Sequence, residues 1–340
     1  MKKQSVLFLF FLLFIFLIPI KVDASSMNFN ARAVIPENQQ DKTKTYFDLR
    51  VKPGEKQIIK LLVSNSSEQE LTLDIQPNTA TTNQNGVIDY SQTKQKKDSS
   101  LAYNFADLVT GEKKVTLQPK ESREISYELT MPDKQFDGEL LGGFYVREIE
   151  KATDEDAQKN VQIKNRYSIV IAADLTETDK VIESKLQLNN VQPALENYRT
   201  VVTANLQNIK AKIEDQMSVS ATVTQKGSTT VLHKAEKKDM HMAPNSNFDF
   251  PIDWGKQELQ AGTYTLNMEV ATSGGHWTFS KDFKIQKKES AKLNSQAVDL
   301  KTEPKDSSLL LWIIAGLIVI ISVLIGWMMR KNRKLKEGIK

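Results

Sequence analysis

Thr263-Tyr264-Thr265-Leu266-Asn267-Met268-Glu269-Val270-Ala271-Thr272-Ser273-Gly274-Gly275-His276-Trp277-Thr278-Phe279 is the stretch whose reading decides the fold. Tyr264, Leu266, Met268 and Val270 alternate with polar residues, a period of two that turns one apolar face inward. Ser273-Gly274-Gly275 supplies the permissive backbone of a tight turn, and a second run, His276 to Ile285, follows it. The pattern predicts a hairpin of half-buried antiparallel strands.

The same alternation recurs outward from this hairpin. Leu71, Leu73 and Ile75 are separated by Thr72 and Asp74, and Ile125, Tyr127 and Leu129 by Ser126 and Glu128. Val219, Ala221 and Val223 form a further set. Pro53-Gly54, Asn85-Gly86 and Lys226-Gly227-Ser228 punctuate these runs as turns. Only Leu101 to Val109 reads as a short helix within this region. Many short, regularly spaced strands predict an all-β ectodomain of two tandem immunoglobulin-like β-sandwich domains, residues 25–150 and 160–288. The acidic stretch Glu150 to Asn160 resembles a linker, yet Phe144–Ile149 and Ile163–Ala173 flank it as strands able to pair across it. The switch between domains therefore falls within 150–178.

The two ends carry a different pattern. Lys2 and Lys3, an apolar run from Val6 to Ile18 and Val22-Asp23-Ala24 predict a signal peptide over 1–24. Residues 309–329 are uncharged and span about 30 Å as a helix, the thickness of a bilayer's hydrocarbon core. Trp312 and Trp327 flank this run, and the basic tail 330–340 follows. One C-terminal transmembrane helix with a cytoplasmic tail is the expectation. Residues 289–308, poor in apolar side chains, read as a flexible stalk. No Leu-Pro-x-Thr-Gly sorting signal precedes the helix, so it is expected to stay in the membrane.

Charge and composition narrow the function. Nine of the 46 basic residues and two of the 42 acidic ones lie in the two ends, leaving 37 basic against 40 acidic. That balance argues against nucleic acid, which requires a concentrated basic face. Cysteine is absent, which excludes disulfides and thiolate chemistry. His233, His241 and His276 lack metal-ligand spacing, and neither a Gly-x-Ser-x-Gly nor a His-Glu-x-x-His motif occurs. Ser91-Gln92-Thr93-Lys94 matches Ser-x-x-Lys, but its companion motifs are missing and the stretch reads as a solvated loop. Asp154-Glu155-Asp156 lacks the Gly and Glu of a calcium loop. The reading is a binding protein without cofactor, not an enzyme.

The candidate ligand contacts are amide and aromatic. Asn83 and Asn85, in an Asn/Thr/Gln-rich loop ending at Tyr90, suit sugar hydroxyls and peptide groups. Gly142 and Gly143 open a strand and suggest a bulge or the close approach of another backbone, whether from a partner or from packing within the sandwich.

At these residues the chain resembles a known family. Tyr46-Phe47-Asp48-Leu49 with Pro53-Gly54, then Thr81-x-Asn83-x-Asn85-Gly86-x-Ile88-x-Tyr90, then Phe136-x-Gly138 leading to Leu141-Gly142-Gly143, resemble the WxL-interacting proteins of Gram-positive bacteria. The order of segments is similar too. The resemblance implies a peptidoglycan-binding first domain and a host-binding second domain, exposed towards the cell wall from a single-pass plasma-membrane anchor. It implies WxL-domain surface proteins as partners and a host extracellular-matrix protein as a further ligand. No Trp of this chain is followed by Leu two residues on, so it would be the membrane-held partner and not the WxL protein itself. An envelope assembly chaperone that lends an exposed strand edge is the alternative expectation.

Overall fold

The computed structural model describes residues 27–93, 96–149, 165–298 and 300, with part of the segment 316–328. The expected signal peptide, the acidic stretch 154–156, Lys94 and the basic tail lie outside the described residues. In the expected membrane segment, residues 316–318, 320–325 and 327–328 are helical and exposed, and the remainder lies outside the description. Among the described residues no helix is long and apolar enough to cross a membrane.

The first half contains β1 (Phe29–Val34), β2 (Phe47–Arg50), β3 (Lys56–Asn65), β4 (Leu71–Thr79), β5 (Thr81–Thr82), β6 (Ile88–Asp89), β7 (Val109–Gly111), β8 (Lys114–Leu117), β9 (Ser122–Thr130), β10 (Leu140–Glu148) and β11 (Ser168–Thr176). One sheet runs β1-β3-β9-β7 and the other β2-β11-β10-β4-β8, while β5 and β6 form a separate ribbon. Alternate residues of the two large sheets meet in one core. At its centre Phe144 packs against Phe47, Phe105 and Tyr127, with ring centroids 6.1, 6.0 and 4.7 Å away. Tyr127 is fully buried, and its hydroxyl donates to the Glu112 carbonyl at 2.8 Å, so this ring leaves no polar atom unsatisfied.

The second half contains β12 (Leu186–Glu196), β13 (Arg199–Asn208), β14 (Glu214–Gln225), β15 (Val231–Met242), β16 (Ser246–Asp253), β17 (Gly262–Thr272) and β18 (Gly275–Ile285). Sheets β12-β13-β16 and β15-β14-β17-β18 enclose a second core. The expected hairpin is there as β17 and β18, paired from Gly262↔Ile285 to Thr272↔Gly275.

Two expectations about boundaries are corrected. Ser168–Thr176 pairs with β10 and, in parallel, with β2, so this strand belongs to the first unit and not to a second domain beginning at 160. The hairpin across the acidic stretch is the arrangement adopted, because Ile171, Ala173 and Leu175 bury their side chains in the first core. The expected stalk is not extended at its start. Lys287–Gln296 is a helix whose Leu293 packs on the second core, and the Asn294 side chain accepts from the Leu259 N–H (2.9 Å) and donates to its carbonyl (3.1 Å).

Gly142 faces the core and not a partner. A Cβ there would lie 2.1 Å from the Phe105 ring, which is itself fully buried and has nowhere to go. Gly142→Ala is therefore expected to destabilise the first unit by about 1–3 kcal/mol through overpacking. A urea midpoint equal to that of the unsubstituted chain would contradict this packing.

Candidate functional site at the domain junction

The residues expected to face a ligand converge on the boundary between the two units. Asn83 organises the turn of the β5–β6 ribbon, its Oδ1 accepting from the N–H groups of Asn85 (2.9 Å) and Val87 (3.2 Å). Asn85 Oδ1 accepts from the Lys237 ammonium at 2.9 Å, and the Gly86 carbonyl from the His241 N–H at 2.7 Å. Tyr90 is half-buried in a small apolar cluster with Ala80, Ile88 and Leu141 from one side and Ala243 and Ile213 from the other. Its ring covers Gly143, where a Cβ would come 3.0 Å from the Tyr90 Cδ1. Asn83, Asn85, Tyr90 and Gly143 are thus brought together as a dock for the second unit, whereas Gly142 points the other way.

The dock is hydrogen-bonded throughout. Thr82 Oγ1 accepts from the Ala243 N–H at 3.0 Å and lies 2.7 Å from Ser246 Oγ. The Ser246 hydroxyl donates to the Ala243 carbonyl, so the proton between the two hydroxyls comes from Thr82. Further along, Glu139 donates its N–H to the Ala211 carbonyl (2.8 Å) and accepts from the Ile213 N–H. Asp98 is held from both sides. Its Oδ1 accepts from Ser100 (N–H at 2.8 Å, hydroxyl at 2.7 Å) and from Gln207 Nε2 at 2.7 Å, and its Oδ2 accepts from Asn247 Nδ2. Asn245 Nδ2 donates to the Ser100 carbonyl at 3.0 Å.

Two pockets flank the segment that Asp98 anchors. One, of about 90 Å³, is polar and is lined by Asn78, Thr79, Lys96, Asn104, Asn245 and Asn247 among others. Asn78 is buried and donates to the Tyr90 carbonyl at 2.8 Å, while Lys96 is exposed and has no acidic partner among the described residues. The other, of about 250 Å³, is apolar, with Leu101, Leu140, Ile182 and Ile209 around the edge-to-face pair Tyr103 and Phe136.

Beside the junction lies a buried acidic pair. The parallel register sets Asp174 opposite Asp48, and Asp174 Oδ1 finds no hydrogen-bond partner among the described residues. Asp48 instead accepts from Lys44 (2.7 Å) and Gln40 (3.0 Å). Burial, reinforced by the Glu139 and Asp48 carboxylates, pushes the Asp174 carboxyl up to about 7. Burial raises Glu139 as well.

The remaining sequence candidates are accounted for. Ser91 donates its N–H to Asp89 and has no nucleophile geometry on the described residues. His233 stacks on Trp254, ring centroids 3.9 Å apart, and burial lowers its affinity for a proton. Among the described residues no group of three His, Cys, Asp or Glu side chains is placed to hold a metal ion. Lys96, Asp98, Asn245 and Asn247 were missed. The run Asn245-Ser246-Asn247 carried the signal, an amide-rich turn before a strand, but only the fold sets it against the first unit.

Residues 29–148 match the WxL Interacting Protein peptidoglycan binding domain, and residues 158–295 match the WxL Interacting Protein host binding domain. The chain belongs to the WxL-interacting protein family. Together the two matches take in both β-sandwich units and the helix after them. A comparison with curated proteins returns no match. Solved structures similar to the chain include the Escherichia coli chaperone DraB, at 15% identity over 70% of this chain and 94% of that one, with a TM-score of 0.28. The Pseudomonas aeruginosa CupB2 chaperone matches at 14% identity over 68% and 95%, with a TM-score of 0.26. A chaperone–tip adhesin complex of CFA/I fimbriae matches at 12% over 74% and 98%, with a TM-score of 0.31. Likeness at these scores carries no argument about function.

The acidic pair makes stability depend on pH. A carboxyl raised from 3.8 to about 7 holds its proton more tightly in the folded chain than in the unfolded one. The stabilisation is complete at low pH and is lost as the pH rises through the folded value. Asp174→Asn should flatten the fall in melting temperature between about pH 5 and pH 8, and the variant should be the more stable at the upper end. Parallel melting curves for the two proteins across that range would show that Asp174 ionises without cost.

Proposed function

We propose that this chain is a membrane-anchored cell-surface binding protein of a Gram-positive bacterium, holding peptidoglycan at the junction pocket and presenting its second unit to proteins. The observation that carries the reading is the polar pocket itself, bordered by the peptidoglycan-binding domain and furnished with amides and a lysine that has no acidic partner among the described residues. Peptidoglycan offers acetamido groups, hydroxyls, peptide amides and free carboxylates. Amide side chains both donate and accept and so suit the first three, while the Lys96 ammonium suits a carboxylate. Asn83, spent on its own turn, and Asn85 and Tyr90, spent on the second unit, support wall binding only by keeping the pocket assembled. WxL-domain surface proteins and a host extracellular-matrix protein are the partners proposed for the second unit, on the strength of the family's host-binding domain. The uncharged run 309–329 and its basic tail support the anchor.

Each polar contact is worth only about 1 kcal/mol, so single sites bind weakly and gain from repetition along the wall. The full chain in detergent should sediment with insoluble peptidoglycan and release no wall fragments. Lys96→Ala with Asn104→Ala should lower the apparent affinity about tenfold, the equivalent of 1.4 kcal/mol. A full chain that stays in the supernatant would overturn the wall-binding reading.

Topology is tested separately. Protease added to wall-stripped protoplasts should leave only a small C-terminal fragment, as residues 25–308 lie outside and 330–340 inside in this proposal. A protected fragment the size of either β-sandwich unit would reverse the orientation.

A further inference from the structure

We propose that the second unit completes the peptidoglycan site, so that wall binding and docking of the two units are one linked equilibrium. This rests on the reading that the junction pocket takes peptidoglycan, and it goes beyond a family description that names only the first domain as peptidoglycan binding. The pocket has a floor from one unit, Asn78, Thr79 and Asn104, and a wall from the other, Asn245, Ser246 and Asn247.

That wall is held in place by a chain of amides across the outer face of β12, β13 and β16. Asn189 Nδ2 donates to Gln207 Oε1 at 2.8 Å and to Asn205 Oδ1 at 2.9 Å. Asn205 Nδ2 in turn donates to Asn247 Oδ1 at 3.1 Å and to Asp249 Oδ1 at 2.8 Å. Gln207 and Asn247 then both donate to Asp98, the contribution of the first unit. The direction of every bond is set by its neighbour, and the series ends on a carboxylate that can only accept. Asn247 is therefore fixed in orientation, its oxygen turned to Asn205 and one amide proton given to Asp98. Its second amide proton has no acceptor among the described residues.

An ordered donor with one proton unspent, beside the Lys96 ammonium, suits a ligand group that accepts: a carbonyl or carboxylate oxygen of peptidoglycan. A first unit alone would lose this donor, and Asp98 would keep only the Ser100 donors of its own turn, without Gln207 and Asn247. A ligand that touches both units stabilises the docked arrangement, and docking improves binding by the same factor. The wall ligand would thus set how the second unit is presented.

Exchange of the two partners tests the inference. Asn247→Asp places a carboxylate against Asp98 and removes the donor, and it should weaken sedimentation of the detergent-solubilised full chain with insoluble peptidoglycan at least about tenfold. Adding Asp98→Asn restores an amide–carboxylate bond of reversed polarity across the junction but not the pocket proton of Asn247. The double exchange should therefore recover the melting temperature of the unsubstituted chain while binding stays weak, which separates loss of the donor from loss of folding. Undiminished binding by Asn247→Asp, or full recovery of binding by the double exchange, overturns the composite site while leaving wall binding by the first unit intact. Failure of the unsubstituted chain to sediment would instead overturn the peptidoglycan reading itself.

Discussion

Everything distinctive about this protein depends on how the two β-sandwich units satisfy the polar groups they bury between them. An apolar junction would need only shape, but this one is built largely from amides, hydroxyls and backbone groups, each of which costs free energy if left unpaired. Asp98 shows the constraint most clearly. Its carboxylate is half-buried and has no ion pair among the described residues, and it is stabilised by donors from its own turn and from Gln207 and Asn247 of the other unit. Separating the units would give these groups to water, so docking is worth the difference between paired and hydrated polar groups, a modest sum. The apolar contribution is small as well, with one compact cluster of Ala80, Leu141 and Ala243 and their neighbours beside the open apolar pocket. Such a junction specifies one geometry strongly and holds it with moderate energy, which leaves room for a ligand to add to it.

The acidic pair next to this junction follows from topology. β2 and β11 run parallel, and their register sets Asp48 beside Asp174 on the face away from the core. Lys44, four residues before Asp48, bonds that carboxylate, while Asp174 Oδ1 has no partner among the described residues. Glu139 adds a third acidic group close by, committed to the Ile213 N–H across the junction. The neutral form of Asp174 is the one this environment favours, and the raised proton affinity expresses that preference.

The β architecture was legible because it obeys a local rule. Leu71, Leu73 and Ile75, or Ile125, Tyr127 and Leu129, alternate with polar residues, and all six are buried in one core. The junction was not legible, because alternation separates core from non-core and cannot separate solvent from a neighbouring unit. Asn83, Asn85 and Tyr90 are polar or amphipathic, so they read as free to meet a ligand, when Asn83 closes its own turn and the other two meet Lys237, Ala243 and Ile213. The helix Lys287–Gln296 escaped notice for a related reason. Leu293 is its one large apolar side chain, and its attachment relies on the reciprocal bonds between Asn294 and Leu259, which lies 35 residues away. Strand β11 sat beyond a polar stretch that read either as a linker or as the bend of a hairpin, and its pairing with β10 and β2 assigns it.

A site shared between two units alters what each unit can be said to do. The family description divides the labour, wall on one side and host on the other, and the sequence invites the same division. The side chains divide it differently. Asn245 and Asn247 stand in the host-binding domain yet border the polar pocket, and Asn83 and Tyr90 stand in the peptidoglycan-binding domain yet serve the junction. Asn205 links the two faces of the problem, donating to Asn247 at the pocket and to Asp249 farther along the outer sheet. A change at either residue is felt by the other through a shared amide whose two protons are both committed. Because the same amides that order the pocket wall also cover the face of β12, β13 and β16, whatever fixes Asn247 fixes part of the surface that the second unit offers to its partners.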